Sequence, residues 1–230
     1  MTPTIPFMQV QPPPAAAAGG GTPRTLYWRS TQSTVVSAAT AVRSLNQTVG
    51  AGQMSSGVKL GASTTGASIV VTPGAVGQTA PTSVTAIANK GWIYDTTGAT
   101  TTGTYEAGTW TFNVQVHESS VTTPTQKCAI TLWKVTATTT AVTSVQSIGR
   151  YVSADYTAAN NSNLGVRVTW TGSLPAITIA AGQYIYMQVD FSQTAAGGAA
   201  STAQAVHDSE TGPSTTGSAV FGSIVTSAFA

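Results

Sequence analysis

The chain carries very little charge. Lys, Arg, Asp and Glu together make up 7% of its 230 residues, whereas these residues supply about 25% of an ordinary soluble domain. A free monomer usually keeps itself soluble with surface charge, but a chain that hides much of its surface in a larger assembly needs less of it. The composition therefore favours a subunit that packs against identical neighbours. A secreted, Thr-rich surface domain is the other class in which so little charge is common.

The basic residues are few and scattered. Nine Lys and Arg give a net charge of +2, and they form no stripe that could neutralise a run of phosphates, so we expect no nucleic-acid partner. No stretch approaches the ~20 apolar residues of a membrane span. The segment 1–14 also lacks the basic and apolar regions of a secretion signal. We therefore expect a protein that is made and kept in a cytoplasm, or leaves it by lysis rather than by secretion, and that has no membrane partner.

Cysteine is nearly absent as well. Cys128 is the one cysteine, so no disulfide can form within the chain. It lies in a strand-like pattern, which predicts a small buried apolar side chain; a reactive thiol is the alternative.

The clearest pattern in the chain is a pair of alternating segments between Thr104 and Val135. The first, over 108–117, alternates an apolar set with Thr, Asn and Gln, as a strand with one buried face does; its apolar residues are Trp110, Phe112, Val114 and Val116. The second has Cys128, Ile130 and Leu132 on one face and a partly apolar set on the other, which indicates a strand covered on both sides or lying under a subunit contact. Because a polar, Pro-containing segment joins them, we predict a β-hairpin.

Short strands are predicted along the rest of the chain, separated by Gly, Pro, Ser and Thr. The segments are 25–29, 68–72, 83–88, 90–94, 142–152, 164–170, 174–179, 183–191, 203–207 and 218–229. Only 33–45 is ambiguous between a helix and a strand. Such spacing predicts one all-β domain over 24–230, an antiparallel β-sandwich of jelly-roll type. An immunoglobulin-like domain, which needs only ~100 residues, is the alternative. We expect one shared core containing Trp110, Phe112, Val114, Ile185, Met187 and Val189.

The first 23 residues form a separate unit, an N-terminal arm and linker. An apolar patch of Ile5, Phe7, Met8 and Val10 is followed by three prolines, four alanines and three glycines. The prolines make a stiff spacer and the small residues a flexible one. A disordered tail is one interpretation. An apolar patch on a tether is also the form of an arm that docks on a neighbour, so these four side chains are the predicted partner-binding residues.

Residues that could carry catalysis are few, and no motif for a nucleophile, metal or phosphate site is present. The candidates are His117 with Glu118, the cluster His207, Asp208 and Glu210, the oxygens of Asp155, Asn160, Asn161 and Asn163, and the single carboxylates Glu106 and Asp190. Solvated loops and strand ends are the more usual setting of such residues, no acidic spacing supports a Ca²⁺ site, and two single carboxylates do not define a glycosidase pair. We therefore expect no enzyme activity, no cofactor and no metal site.

Seven aromatic residues could instead form a platform on which sugars stack. They are Tyr27, Trp28, Trp92, Tyr94, Trp133, Tyr184 and Tyr186. Core and interface packing is the other role of such residues in a β-sandwich.

The layout of several segments resembles that of structural proteins encoded by tailed bacteriophages. The segments that carry the resemblance are Arg-Thr-Leu-Tyr at 24–27, GTWTFNVQV at 108–116, Ser-Leu-Pro-Ala-Ile-Thr-Ile at 173–179, AGQYIYMQV at 181–189, and a Thr/Gly loop before a last apolar strand. The resemblance covers about 24–229 and implies a virion component, a capsid decoration or accessory shell protein. Its expected partners are the major capsid protein or other virion subunits, including copies of itself. A carbohydrate- or receptor-binding module of a phage tail or fibre is the alternative function.

Overall fold

Strands make up the whole regular structure of the described residues. The structure is a computed structural model that describes residues 20–36, 43–47, 59–60, 69–71, 91–94, 102–118, 125–140, 142–157, 166–195, 201–206 and 222–230. These contain fifteen strands and no helix: β1 Thr22–Gln32, β2 Arg43–Asn46, β3 Lys59–Leu60, β4 Ile69–Val71, β5 Gly91–Tyr94, β6 Gly103–Tyr105, β7 Gly108–Glu118, β8 Thr125–Ala137, β9 Val142–Val152, β10 Tyr156–Thr157, β11 Val166–Leu174, β12 Ile177–Ile179, β13 Gln183–Ala195, β14 Ser201–Val206 and β15 Ser223–Phe229. The all-β prediction is confirmed for this part of the chain.

The strands form one curled sheet. Its hydrogen-bonded order includes β8, β13, β5, β2, β1, β15 and β7 in succession, with β9 on the outer side of β8 and β11 on the outer side of β7. All pairs are antiparallel except that of β2 with β5, which is parallel. The sheet is therefore mixed rather than purely antiparallel, which corrects one part of the sequence prediction.

The predicted hairpin of β7 and β8 is wrong, although both strands exist. β7 pairs with β11 on one edge and with β15 and then β14 on the other, while β8 pairs with β13 on one edge and with β9 and β10 on the other. Both edges of each strand are thus occupied by other partners. The alternation showed that β7 and β8 each have one buried face. The buried faces of the two strands point into the same core from different parts of the sheet.

The main core lies inside the curl and contains all six residues for which a shared core was predicted. Trp110, Phe112, Val114, Ile185, Met187 and Val189 are each at most 1% exposed and belong to one cluster. Leu26, Trp28, Leu45 and Trp92 extend this cluster across β1, β2 and β5. Cys128 is fully buried in it, as predicted for a small apolar side chain.

A second, smaller cluster lies on the opposite face of β8, β13 and β5. Trp133, Val135, Tyr186 and Ile93 are at most 5% exposed there, and Val36 from the segment after β1 packs with them. This arrangement explains the partly apolar second face of β8, because the strand is covered on both sides within its own chain.

The ambiguous segment 33–45 contains no helix in its described part. Thr34 to Val36 form a bend and a turn, and β2 begins at Arg43. Ser33 accepts a hydrogen bond from the backbone N–H of Val35 at 3.0 Å, a local turn contact that competes with helix formation. The predicted strand at 83–88 lies outside the described residues.

Candidate functional site

The four predicted partner-binding residues, Ile5, Phe7, Met8 and Val10, lie outside the described residues. The described chain begins at Gly20, next to the last strand. Gly21 lies against the backbone of Phe229 and Ala230, and Thr22 pairs with Phe229. The described chain therefore begins at the end of the sheet where β15 finishes.

The most distinctive feature of the described structure is the place where the two ends of the curled sheet meet. We call it the seam: β9, at one end of the sheet, faces β11, at the other. The Tyr151 ring of β9 crosses the seam and stacks on Phe112 of β7, with centroids 5.4 Å apart, and Phe112 also contacts Trp170 of β11 at 5.5 Å. Tyr151 and Trp170 are half-buried, so the seam exposes part of two aromatic rings.

Glycine allows Tyr151 to fit there. A Cβ atom at Gly172 of β11 would lie 2.3 Å from Cδ1 of Tyr151, and one at Gly149 would lie 2.6 Å from its hydroxyl oxygen. A side chain at either position would push the ring away. The two glycines therefore let the Tyr151 ring lie against the backbones of β11 and β9. Sequence reasoning missed this site, because the two glycines and Tyr151 meet only when the sheet curls. A Gly in the middle of an alternating strand was the one available signal.

β9 and the Tyr151 ring lie beside the edge of β11 that faces the seam. Among the described strands, β11 pairs only with β7, over all nine residues from Val166 to Leu174. Its outward side chains, Arg167, Thr169, Thr171 and Ser173, are exposed and carry a single charge.

A hydrogen-bond chain fixes the outer face beside this edge. The hydroxyl of Thr169 donates to Oδ1 of Asn113 at 2.9 Å, and Nδ2 of Asn113 donates to Oγ of Ser223 at 3.2 Å. Three adjacent strands, β11, β7 and β15, are thereby linked through side chains as well as through their backbones.

A polar cluster lies at the end of the sheet where the arm departs. The Cζ atom of Arg24 is 3.4 Å from the ring centroid of Phe229, which in turn contacts Tyr105 edge-on at 4.6 Å. Burial raises the pKa of Tyr105 and of Tyr94 above the usual value near 10, and the nearby Arg24 offsets part of each rise. Burial thus holds the two phenols in their neutral form, whereas the positive charge of Arg24 favours their ionised form.

The predicted catalytic candidates are not gathered into a site in the described part of the chain. Asp155 is exposed, and its Oδ1 atom lies 3.9 Å from Nζ of Lys127. Glu106 lies between β6 and β7, and its backbone carbonyl accepts a hydrogen bond from the hydroxyl of Ser227 at 2.6 Å. His117 is in β7 opposite Gln204, and Asp190 is in β13 opposite Ala129. The described residues contain no group of three or more potential metal ligands. His207, Asp208, Glu210, Asn160, Asn161 and Asn163 lie outside them.

The aromatic residues proposed as a sugar platform are mostly interior. Trp28, Trp92, Tyr94, Trp133 and Tyr186 are between 0% and 5% exposed, so their rings cannot stack on an external ligand. Tyr27 and Tyr184 are partly exposed. The burial of these five rings agrees with the alternative that they are core residues.

Comparisons with known proteins give no assignment. No protein-family model matches the chain, and no curated protein matches it in sequence. In the described residues, no helix is long and apolar enough to cross a membrane.

Proposed function

We propose that this chain is a non-enzymatic virion structural protein that binds an assembled capsid shell and stabilises it. Its partners are the major capsid protein or other virion subunits, and it acts as a homo-oligomer. It is made in the host cytoplasm and is then built into the virion. We also propose that the curled sheet is a β-sandwich of jelly-roll type, with the arm extending from it.

The observation that carries this proposal is the sparsely charged outer face of β11, on a body with very few charges. Thr169, Thr171 and Ser173 present neutral hydroxyl groups beside nine residues of strand backbone. Burying such a surface against a neighbour desolvates few charges. A surface of this kind suits dense packing in a shell.

The arm supports the same proposal independently. It joins an apolar patch to a Pro, Ala and Gly tether, and a tether keeps a weakly binding patch at high local concentration near its target. Attachment through both the arm and the body would let a small subunit bridge neighbouring shell positions.

The carbohydrate- or receptor-binding alternative has less support. It needs exposed aromatic rings, and five of the seven proposed rings are buried. Glycan-array binding by the intact protein that is lost in a Tyr27→Ala or Tyr184→Ala variant would nevertheless favour that function.

The direct test is to locate the protein on particles. Antibodies against the purified chain should detect it with DNA-filled heads after the tails have been sheared off and the lysate separated on a density gradient. Gold-labelled antibody should then mark the head surface in electron micrographs. Detection only at the top of the gradient would overturn the proposed function, and detection on sheared tails would overturn the shell assignment.

A further inference from the structure

β9 and β11 face each other across the seam without pairing through their backbones. Among the described strands, β9 pairs only with β8 and β11 pairs only with β7. We propose that the seam is the line along which the closed sheet opens locally, and that the Tyr151 ring is the latch that holds it shut. This inference goes beyond the proposed function, since the opening needs no partner and can be measured on the isolated protein.

Separation of β9 from β11 breaks side-chain contacts and leaves the backbone ladders intact. A strand inside a sheet can leave only if its ladder of backbone hydrogen bonds breaks, whereas no ladder joins these two described strands. The contact that holds them is aromatic: the Tyr151 ring of β9 stacks on Phe112 with centroids 5.4 Å apart and lies against Gly172 of β11. Parts of a structure that few buried contacts hold together open at a lower free energy than the whole fold. The seam should therefore open without global unfolding.

β9 is the side of the seam that can move. Its pairing with β8 is interrupted by two register shifts, and such bulges bend a strand and disrupt its ladder locally. β11 instead pairs with β7 over nine residues without a shift. The side-chain hydrogen bonds from Thr169 through Asn113 to Ser223 tie β11 further to β7 and β15. Opening is therefore a movement of β9 away from a fixed β11.

A buried indole group makes the closed seam less stable than its packing suggests. Trp170 of β11 contacts Phe112 with ring centroids 5.5 Å apart, and its Nε1 atom is buried without a hydrogen-bond partner in the described structure. A buried N–H group without an acceptor keeps its full desolvation cost. Water that enters the open seam can accept from this group, so opening recovers part of the free energy that the loss of Tyr151 stacking costs.

The chain contains a natural probe of this opening. Cys128 is the one cysteine, and it is fully buried in the main core. Its backbone N–H donates to Oγ of Ser153 at 3.0 Å, directly after β9 ends at Val152. When β9 moves away from β11, a reagent can reach the inner face of β8 and with it the Cys128 thiol.

Thiol labelling of the full-length protein at increasing urea concentrations tests the local opening. The probe is a chromogenic disulfide reagent in excess. Labelling through global unfolding accelerates steeply with urea, because the slope follows the surface exposed, whereas a small local opening gives a nearly flat rate. We expect the Cys128 rate to be flat at low urea and to join the steep line near the unfolding transition. A rate that follows global unfolding at every urea concentration would overturn the local opening.

Two variants weaken the latch in different ways. Tyr151→Ala removes the ring, and Gly172→Ala places a methyl group where the ring now lies. Each should raise the low-urea labelling rate at least about tenfold, since stacking and ring burial are lost together. If Tyr151→Ala does not fold, Gly172→Ala decides alone. Rates within about twofold of the parent protein would show that Tyr151 is not the latch.

Ile93→Val is the matched control for these variants. Ile93 is fully buried in β5, in the smaller cluster on the opposite face of the sheet. The substitution should lower the unfolding midpoint, as the loss of a buried methyl group does, and keep the low-urea labelling rate within about twofold. A low-urea rate that rises as much as in Gly172→Ala would mean that labelling reports general stability, and the latch would be refuted.

A second thiol locates the opening. In a Cys128→Ala chain, Leu45→Cys places a buried thiol in β2, which belongs to the same core but lies several strands from the seam along the sheet. Its labelling should follow global unfolding at every urea concentration. A flat low-urea rate equal to that of Cys128 would show that the core opens elsewhere, and the assignment of the opening to the seam would fail.

Discussion

Trp133 donates its indole N–H to the amide oxygen of Gln188 at 2.8 Å, on the face of the sheet that points away from the main core. Gln188 is fully buried and Trp133 is 5% exposed. A polar pair in such surroundings stabilises the fold only while both members are present, because a lone buried donor keeps its full desolvation cost.

Replacing Gln188 by Met should therefore lower the free energy of unfolding by about 1 to 3 kcal/mol, since the indole N–H loses its acceptor. Trp133→Phe removes the donor as well as part of the ring packing. In the double variant the loss should be smaller than the sum of the two single losses, which urea unfolding of all four proteins would measure. If the two single losses simply add in the double variant, the two side chains do not stabilise each other through this hydrogen bond.

Gly172→Ala should destabilise the fold by about 1 to 3 kcal/mol, as other overpacking changes do. The new methyl group would lie 2.3 Å from the Tyr151 ring, and the ring can move only by giving up its stacking on Phe112. Thermal unfolding would show the loss. Gly20→Ala is the matched control, because nothing lies within 4 Å of its Cβ position. Adding Tyr151→Leu should recover part of the loss at Gly172, and no recovery would argue against the contact.

Trp110→Ala should cost about 3 to 5 kcal/mol as a core aromatic deletion. Trp110 is fully buried, and its indole N–H donates a hydrogen bond to Oγ of Ser227 at 3.0 Å. Thr111→Ser, one residue along on the other face of β7, should have little effect because the side chain is only partly buried. Equal losses of unfolding free energy at the two positions would mean that the burial pattern of β7 is different.

Alkaline pH should weaken the fold. Burial raises the pKa of Tyr105 and Tyr186 in the folded protein above the unfolded value near 10. The stability that the two neutral phenols contribute is therefore complete below pH 10 and is lost as the pH rises further, because the phenols of the unfolded chain lose their protons at lower pH than those of the folded protein. The expected slope is up to about 1.4 kcal/mol per pH unit for each tyrosine. Urea unfolding between pH 8 and 11 would measure it, and Tyr105→Phe should reduce the slope; an unchanged slope would exclude this phenol as a cause.

Sequence alternation identified the faces of strands but not their neighbours. Trp110, Phe112, Ile185 and Met187 were placed in one core because a period of two shows which side is buried. The same pattern does not say which strand lies alongside, since any strand with the right face satisfies it. For this reason the predicted hairpin of β7 and β8 is wrong: β7 pairs with β11, and β8 pairs with β13.

The seam could not be predicted for a related reason. Tyr151 meets Gly172 only because the ends of a nine-strand path curl together, and curvature arises from the twist of the whole sheet rather than from any local pattern. The arm is the opposite case, because its apolar patch and its prolines are local features that composition alone reveals.

Deleting residues 1–19 should leave the sheet folded and weaken attachment to shells or sister subunits. β1 begins at Thr22 and keeps its pairing with β15 in the shortened chain. Burial of Ile5, Phe7 and Val10 on a neighbour contributes roughly 1.5 to 3 kcal/mol each, and ordering the flexible arm opposes much of that gain. The expected result is therefore reduced occupancy on particles rather than failure to assemble, with an unchanged unfolding midpoint. Gel densitometry of purified particles would measure the occupancy. Full occupancy without the arm, together with an intact arm that stays protease-sensitive on particles, would identify the segment as a tail that binds nothing.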